Sequence, residues 1–334
     1  ATMPSIVRHA IYFIVVGVAA LRFIAFATAE VPTGWQQDWP RTDFSRATVP
    51  LAEIRSVIAK DGIPAVDHPV FVAAATALAQ GIGTNDPVIT LSIGGDSRAY
   101  PLRVLTWHEI VNDIIGDIPV AVTFCPLCNS AIAFDRRVKD RVLSFGTTGK
   151  LRNSDLVMYD RQTESWWQQF TGEGLVGILA GEKLVMVPVR VESLARFMQR
   201  HPAGKVLVPN ERNIRDYGRN PYVGYDSSTK PFLFDGALPS GVPPLERVVV
   251  VDGTAWSFSL LSKQGRVEIG DLVITWEKGQ ASALDSEMIQ DGRDVGNAVV
   301  QRRGPDGTLT DAVYDVSFAF AFHAFYPTGK IHHE

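Results

Sequence analysis

Val120-Ala-Val-Thr-Phe-Cys-Pro-Leu-Cys-Asn-Ser-Ala-Ile-Ala-Phe134 decides how the chain is read. β-Formers lead in at Val120, Val122 and Phe124, and a second apolar alternation leads out at Ile132 and Phe134. Between them sit Cys125 and Cys128, the two cysteines of the chain. Thiols three positions apart can share one metal ion or close into a small disulfide ring. A dithiol redox motif wants a helix beginning at its first cysteine, which lowers that thiol's pKa. Here the text after Cys128 alternates like a strand, so strand, turn and strand are expected, as in a metal knuckle.

Outward from that stretch, Val88–Ile93 and Ala99–Leu102 read as a hairpin closed by Gly94-Gly95-Asp96. The spacing of Leu105, Ile110, Val111, Ile114 and Ile115 predicts an amphipathic helix over 104–115, ended by Gly116. On such a helix His108 and Asn112 share one face, and Glu109 and Asp113 another. Leu51–Ile58 and Val70–Ala79 are also expected to be helical. Short strands are expected near Val142–Phe145 and Leu156–Tyr159, joined by a polar link from Gly146 to Asp155.

The last third echoes the first. Val248–Leu260 resembles Ile89–Leu102, and Ile269–Leu284 resembles Ile115–Ile132, with Thr275 opposite Thr123 and Ser282 opposite Ser130. The two cysteines fall opposite Glu277 and Gln280, and the His108 helix is given no counterpart. The expected fold is therefore β-rich α+β, a duplicated β-rich unit with a few short helices and a degenerate second copy. The expected divisions are a targeting segment at 1–29, an N-terminal extension at 30–84 and a first unit at 85–208. A Pro/Gly-rich loop or linker at 209–245 and a second unit at 246–330 follow.

Composition sets the class. The 334 residues are 46% hydrophobic and 20% charged, with a net charge of −4 and no basic block, which argues against nucleic-acid binding. Arg8 and His9 precede an apolar run from Ala10 to Leu21, and Ala27-Thr28-Ala29 has the form of a cleavage site. The run is shorter than the ~20 residues a spanning helix needs. It reads as a signal peptide of an exported, periplasmic or extracellular protein, with an uncleaved membrane anchor as the alternative.

Cys125 and Cys128 cannot fill a metal site alone. His108 is the expected third ligand and Met158 a soft fourth, a set that places copper ahead of zinc. Glu109, Asn112 and Asp113 are expected to orient His108 or line the pocket, and Lys150, Arg152, Ser154 and Asp160 to form its polar wall. His108-Glu-Ile-Val-Asn112 misses the H-E-x-x-H zinc-protease pattern, because Asn112 stands where the second His belongs. The expected role is copper handling, electron transfer or metal-dependent redox chemistry, with a metallochaperone or redox partner; an enzyme of this kind would be an oxidoreductase. The alternatives are a metal-free thiol–disulfide oxidoreductase, with Cys125 as nucleophile and Cys128 as resolving thiol, and a binding module with a structural disulfide.

Four segments carry a resemblance. They are Trp107–Asp113, Phe124–Phe134, Phe145–Asp160 and Thr163-Glu-Ser-Trp166. Together they resemble an uncharacterised prokaryotic domain-of-unknown-function family of exported proteins over roughly residues 85–330. The resemblance implies no activity. It implies that the four segments belong to one site. Asn129-Ser130 stands where that family's pattern has Gly-Thr, and Phe320–Pro327 departs from its Trp-rich end.

Overall fold

In the computed structural model, which describes residues 30–334, the Cys-Pro-Leu-Cys segment is the turn of a hairpin. The targeting segment at 1–29 lies outside the described residues. Among the described residues no helix is long and apolar enough to cross a membrane. The chain is β-rich, with several sheets and six short α-helices.

The first unit starts with a hairpin, β1 (Pro87–Ile93) and β2 (Asp96–Pro101). A seven-residue helix, α1 (Leu102–His108), follows at once. Next comes a meander of β3 (Ile110–Ile115), β4 (Ile118–Cys125) and β5 (Ser130–Asp135). The helix expected over 104–115 therefore ends at His108, and the remainder is strand. Ile110, Val111 and Ile115 are fully buried, and the β-branched run Ile-Val-x-x-Ile-Ile fits a pleated, buried surface better than a helix. Two other expected helices are likewise corrected. Val70–Ala73 is a strand and only Ala74–Ala79 is helical. Leu51–Glu53 is a single 3₁₀ turn, followed by a short strand at Arg55–Ser56.

The polar link after Gly146 is not a loop. It forms β6 (Phe145–Arg152), which pairs with β7 (Asp155–Asp160) across a bulge between Thr147 and Lys150. β8 (Trp166–Gln168) pairs beside β7. The first unit closes with β9 (Arg190–Ser193), α2 (Leu194–Arg200) and β10 (Lys205–Val208). β9 lies antiparallel to β1, and β10 parallel to β2.

The same connectivity recurs. β11 (Arg247–Val251) and β12 (Thr254–Ser257) form a hairpin, and α3 (Phe258–Gln264) again has seven residues. β13 (Arg266–Ile269), β14 (Leu272–Glu277) and β15 (Asn297–Arg303) form the meander. β16 (Asp315–Phe318), α4 (Ala319–Phe325) and β17 (Ile331–His332) complete it. β16 is antiparallel to β11 and β17 parallel to β12, as in the first unit. The His108 helix thus has a counterpart in α3. The two helices stop in the same backbone turn, Glu109 at φ 60 and ψ −32, Gly265 at φ 68 and ψ −34.

The units share their cores. β15 pairs with β9, which joins the second meander to the first unit's sheet. The N-terminal extension is fastened by aromatic packing: Trp35, Trp39 and Phe44 lie edge-on around the fully buried Trp166. Trp39, itself 1% exposed, also meets Tyr159 edge-to-face at 4.9 Å. Removing it leaves a cavity too large for these neighbours to fill. Trp39→Ala is expected to cost about 3–5 kcal/mol, read as a lowered urea midpoint, and an unchanged midpoint would show that the extension does not contribute to the global fold.

Candidate thiol and carboxylate centre

Four residues, Pro126 to Asn129, carry the chain from β4 to β5. Asn129 adopts φ 52, and its N–H donates to the Pro126 carbonyl at 3.2 Å; a short amide side chain tolerates that turn. The turn is buried, so its backbone groups need partners. The Phe318 N–H donates to the Cys128 carbonyl at 2.9 Å, and the Asn129 amide to the Val316 carbonyl at 3.1 Å. The Tyr225 hydroxyl donates to the Leu127 carbonyl at 2.8 Å. The Asp315 carboxyl takes the Ser130 hydroxyl at 2.6 Å and the Ala131 N–H at 2.9 Å. The second unit therefore holds the first unit's cysteine hairpin in place through β16.

Both cysteines are free and buried. Each thiol points at the Ser154 carbonyl, Cys125 at 3.7 Å and Cys128 at 3.5 Å. The residue that joins them is Asp155: one of its carboxylate oxygens and the two sulfurs all lie within 4.8 Å of one another. Asp155 Oδ2 accepts from the Gln168 amide at 2.7 Å and the Phe170 N–H at 2.9 Å. Oδ1 is buried and accepts from no hydrogen-bond donor. The turn that delivers Asp155 is tight, with Asn153 at φ 53 and Ser154 at φ 63. Non-glycine residues in such conformations cost of order 1–3 kcal/mol each and cluster at functional sites.

The electrostatics follow from burial. Removal from water pushes the Asp155 carboxyl up to about 7, partly opposed by the hydrogen bonds from Gln168 and Phe170 and by the neighbouring Cys125 thiol, and assisted by Asp315. Burial raises Asp315 to about 7 as well. Glu109 is raised to about 8 by burial and by the charge of Asp155. Both thiols are pushed above the ordinary range, mainly by burial. Three acids and two thiols thus share one region of the core, and without a cation the centre favours its protonated forms.

The other expected site residues are placed as follows. His108 Nδ1 lies 2.7 Å from the Pro64 carbonyl and Nε2 2.6 Å from the Tyr217 hydroxyl; it is Asp155, not His108, that joins the sulfurs. Met158 is fully buried in β7, within the core cluster that also contains the cysteines. Asn112 ties β3 to β6, accepting from the Phe145 N–H and donating to the Phe145 carbonyl and to Asp67. Both Asp113 carboxylate oxygens accept from Arg98 Nη1, and Oδ2 also accepts from the Tyr100 hydroxyl. Lys150 donates to Ser56, Arg152 to Glu53, and Ser154 to the Phe232 carbonyl. Asp160 accepts from Thr163 and the Trp167 indole. A helix starting at Cys125 is absent, and among the described residues there is no cis peptide bond.

Sequence reasoning missed Asp155 and Asp315. Each is an acid that opens a buried strand, Asp155–Asp160 in one case and Asp315–Phe318 in the other. An ionisable group at the mouth of a buried strand was the available signal. At positions matching the cysteines the second unit has an exposed Glu277, paired to Arg196 at 2.6 Å, and a buried Gln280, bonded to the Gly296 carbonyl at 2.9 Å.

The chain belongs to the DUF3179 family, described as proteins of unknown function, whose family model matches residues 60–329. No curated protein and no solved structure matches it.

The raised carboxyls make a stability prediction with a definite sign. Between the ordinary carboxyl range near pH 4 and the folded values of about 7 and about 8, the folded state binds more protons than the unfolded state. Stability of the metal-free protein therefore falls as pH rises through that window, and the raised thiols continue the fall above it. Urea midpoints measured from about pH 5 to about pH 9 should decline, and Asp155→Asn should flatten part of the decline. A midpoint that rises across the window would contradict the buried, protonated assignment.

Proposed function

We propose that Cys125, Cys128 and Asp155 form a metal-binding centre in an exported protein, with zinc or copper as the ion. The observation that carries this reading is the unpartnered Asp155 Oδ1 beside two free thiols in a buried site. Two thiolates and a carboxylate supply three anionic donors, and a divalent cation would offset charges that no neighbouring basic group offsets. The oxygen donor moves the balance from copper, which favours thiolate and thioether, towards zinc, which accepts sulfur and oxygen together. Three protein donors leave one coordination position for water or a small ligand, the arrangement of catalytic rather than structural zinc sites. The apolar run at Ala10–Leu21 supports export.

A dithiol redox role is the second reading, supported by the free thiols spaced Cys-x-x-Cys. It is disfavoured because burial raises both thiols, whereas a redox nucleophile needs a lowered pKa.

The test is metal content of protein purified without chelator or affinity-tag metal, before and after loading with Zn(II) or Cu(I). About one equivalent is expected in the native protein and in His108→Ala, and none in Cys125→Ser/Cys128→Ser. Asp155→Asn should bind at least about tenfold more weakly. A native protein that takes up neither ion, or a loss of binding in His108→Ala equal to that in the cysteine variant, would overturn this ligand set.

A further inference from the structure

A cleft of about 710 Å³ lies against the second unit, with none of the thiol centre's residues in its walls. It is bounded by the end of β14, the chain leading into β15, the start of α3, and the 226–229 and 243–247 segments. Its volume falls in the range of roughly 300–1,000 Å³ common to small-molecule sites. The place in the fold is the one the first unit gives to its cysteine turn. Trp276 matches Phe124, the residue before Cys125, and Ser282 matches Ser130; each serine bonds a buried aspartate. Two differences open the second unit there. Residues 278–296 join β14 to β15, where four residues join β4 to β5. Residues 304–314 lie between β15 and β16, where 136–189, which carry Asp155, lie between β5 and β9. Phe124 is accordingly buried, whereas Trp276 is partly exposed and lines the cleft.

The aromatic wall is held in place. Trp276 Nε1 donates to the Val295 carbonyl at 3.2 Å. Gly296, at φ 82, approaches the indole so closely that a Cβ there would lie 2.2 Å from the ring, so the ring's position requires glycine. The charged groups of the cleft are already met within the protein. Asp226, with a fully buried side chain, takes Arg247 Nη1 at 3.0 Å and Arg293 Nη1 at 2.7 Å. Asp294 accepts from the N–H groups of Gly279, Gln280 and Gly296. Glu246 Oε1 accepts from the Ser259 N–H at 2.8 Å and its hydroxyl at 2.6 Å. Glu246 Oε2, Arg293 Nη2 and the Thr229 hydroxyl make no hydrogen bond to a described residue, and all three residues line the cleft. Hydrogen-bonding capacity is therefore free there, and free charge is not.

We propose that this cleft binds a neutral, polyhydroxylated small molecule of mono- or disaccharide size. Trp276 is the platform for its apolar C–H face, and Glu246, Arg293 and Thr229 are its hydrogen-bond partners. The pairing follows from complementary capacity. A sugar hydroxyl donates and accepts at once, which matches a carboxylate oxygen, a guanidinium N–H and a hydroxyl in one wall. The face of an indole is electron-rich and attracts the positive edge of C–H bonds. An anion would compete with Asp226 for Arg293. The thiol centre contributes no residue to this site, so the proposal stands apart from the metal-centre reading. The first unit uses the end of its meander for soft donors, and the second uses the same place for hydroxyl recognition.

The experiment is saturation-transfer NMR of the full chain with glucose, galactose, N-acetylglucosamine, xylose and maltose, beside glutamate, phosphate and choline as charged probes. Every probe that responds is then titrated by calorimetry. At least one sugar should bind with a Kd of about 1 mM or tighter. Ser262→Trp enlarges an exposed side chain of α3 that lines the cleft, and so fills it without touching the core. That variant should keep the native urea midpoint and bind the sugar at least about tenfold more weakly. Glu246→Gln keeps an oxygen for Ser259 and exchanges the free carboxylate oxygen for an amide; it too should lose about tenfold. No response from any of the sugars would overturn the proposal. So would an affinity equal to native in both Ser262→Trp and Glu246→Gln, or a charged probe that binds more tightly than every sugar.

Discussion

Asp315 is the contact on which the centre depends. Its two oxygens take the Ser130 hydroxyl and the Ala131 N–H, which pins the strand leaving the cysteine turn to β16 of the other unit. With the Phe318-to-Cys128 and Asn129-to-Val316 bonds, this ties a buried four-residue turn to the second unit. A thiol pair at an exposed hairpin tip would be free to move and to oxidise. Here the two sulfurs are held against the Ser154 carbonyl and Asp155 by elements from three separate regions of the chain. Asp315 contributes this by being buried without a cation, which is why its own pKa is raised.

Much of this was legible in local text. The strand–turn–strand form of the cysteine segment could be read from alternation, and the echo between the two thirds extends to pairing order: hairpin, seven-residue helix, meander, strand, helix, strand. The echo even reaches function in the core, since Ser130 and Ser282 each hydroxyl-bond a buried aspartate, Asp315 and Asp226. What failed was the period at 104–115. Its apolar positions satisfy a helical count, but β-branching and the turn at Glu109 decide for a strand after His108. His108 is the last residue of the helix and bonds the Pro64 carbonyl and the Tyr217 hydroxyl, while Asn112 lies on β3. Asp155 was not legible because its approach to Cys125 is set by the pairing of β6 with β7 and by two strained residues before it, and neither leaves a periodic mark.

The two units also show how a fold separates what it needs from what a site needs. The turn after the seven-residue helix is a requirement of the fold, because it appears with the same angles at Glu109 and at Gly265. The identity of the residue there is not, because glycine serves the second unit. The next connection of the meander differs in backbone as well: four residues join β4 to β5 but residues 278–296 join β14 to β15, and Glu277 and Gln280, at the positions matching the cysteines, make ordinary ion-pair and hydrogen-bond contacts. Differences at equivalent backbone positions therefore isolate chemistry from architecture within one chain. By that measure the first unit departs from the unstrained solution at the places that surround the thiols. Stability is given up there, through a strained backbone and carboxyls kept from water, and recovered in the shared core that both units build.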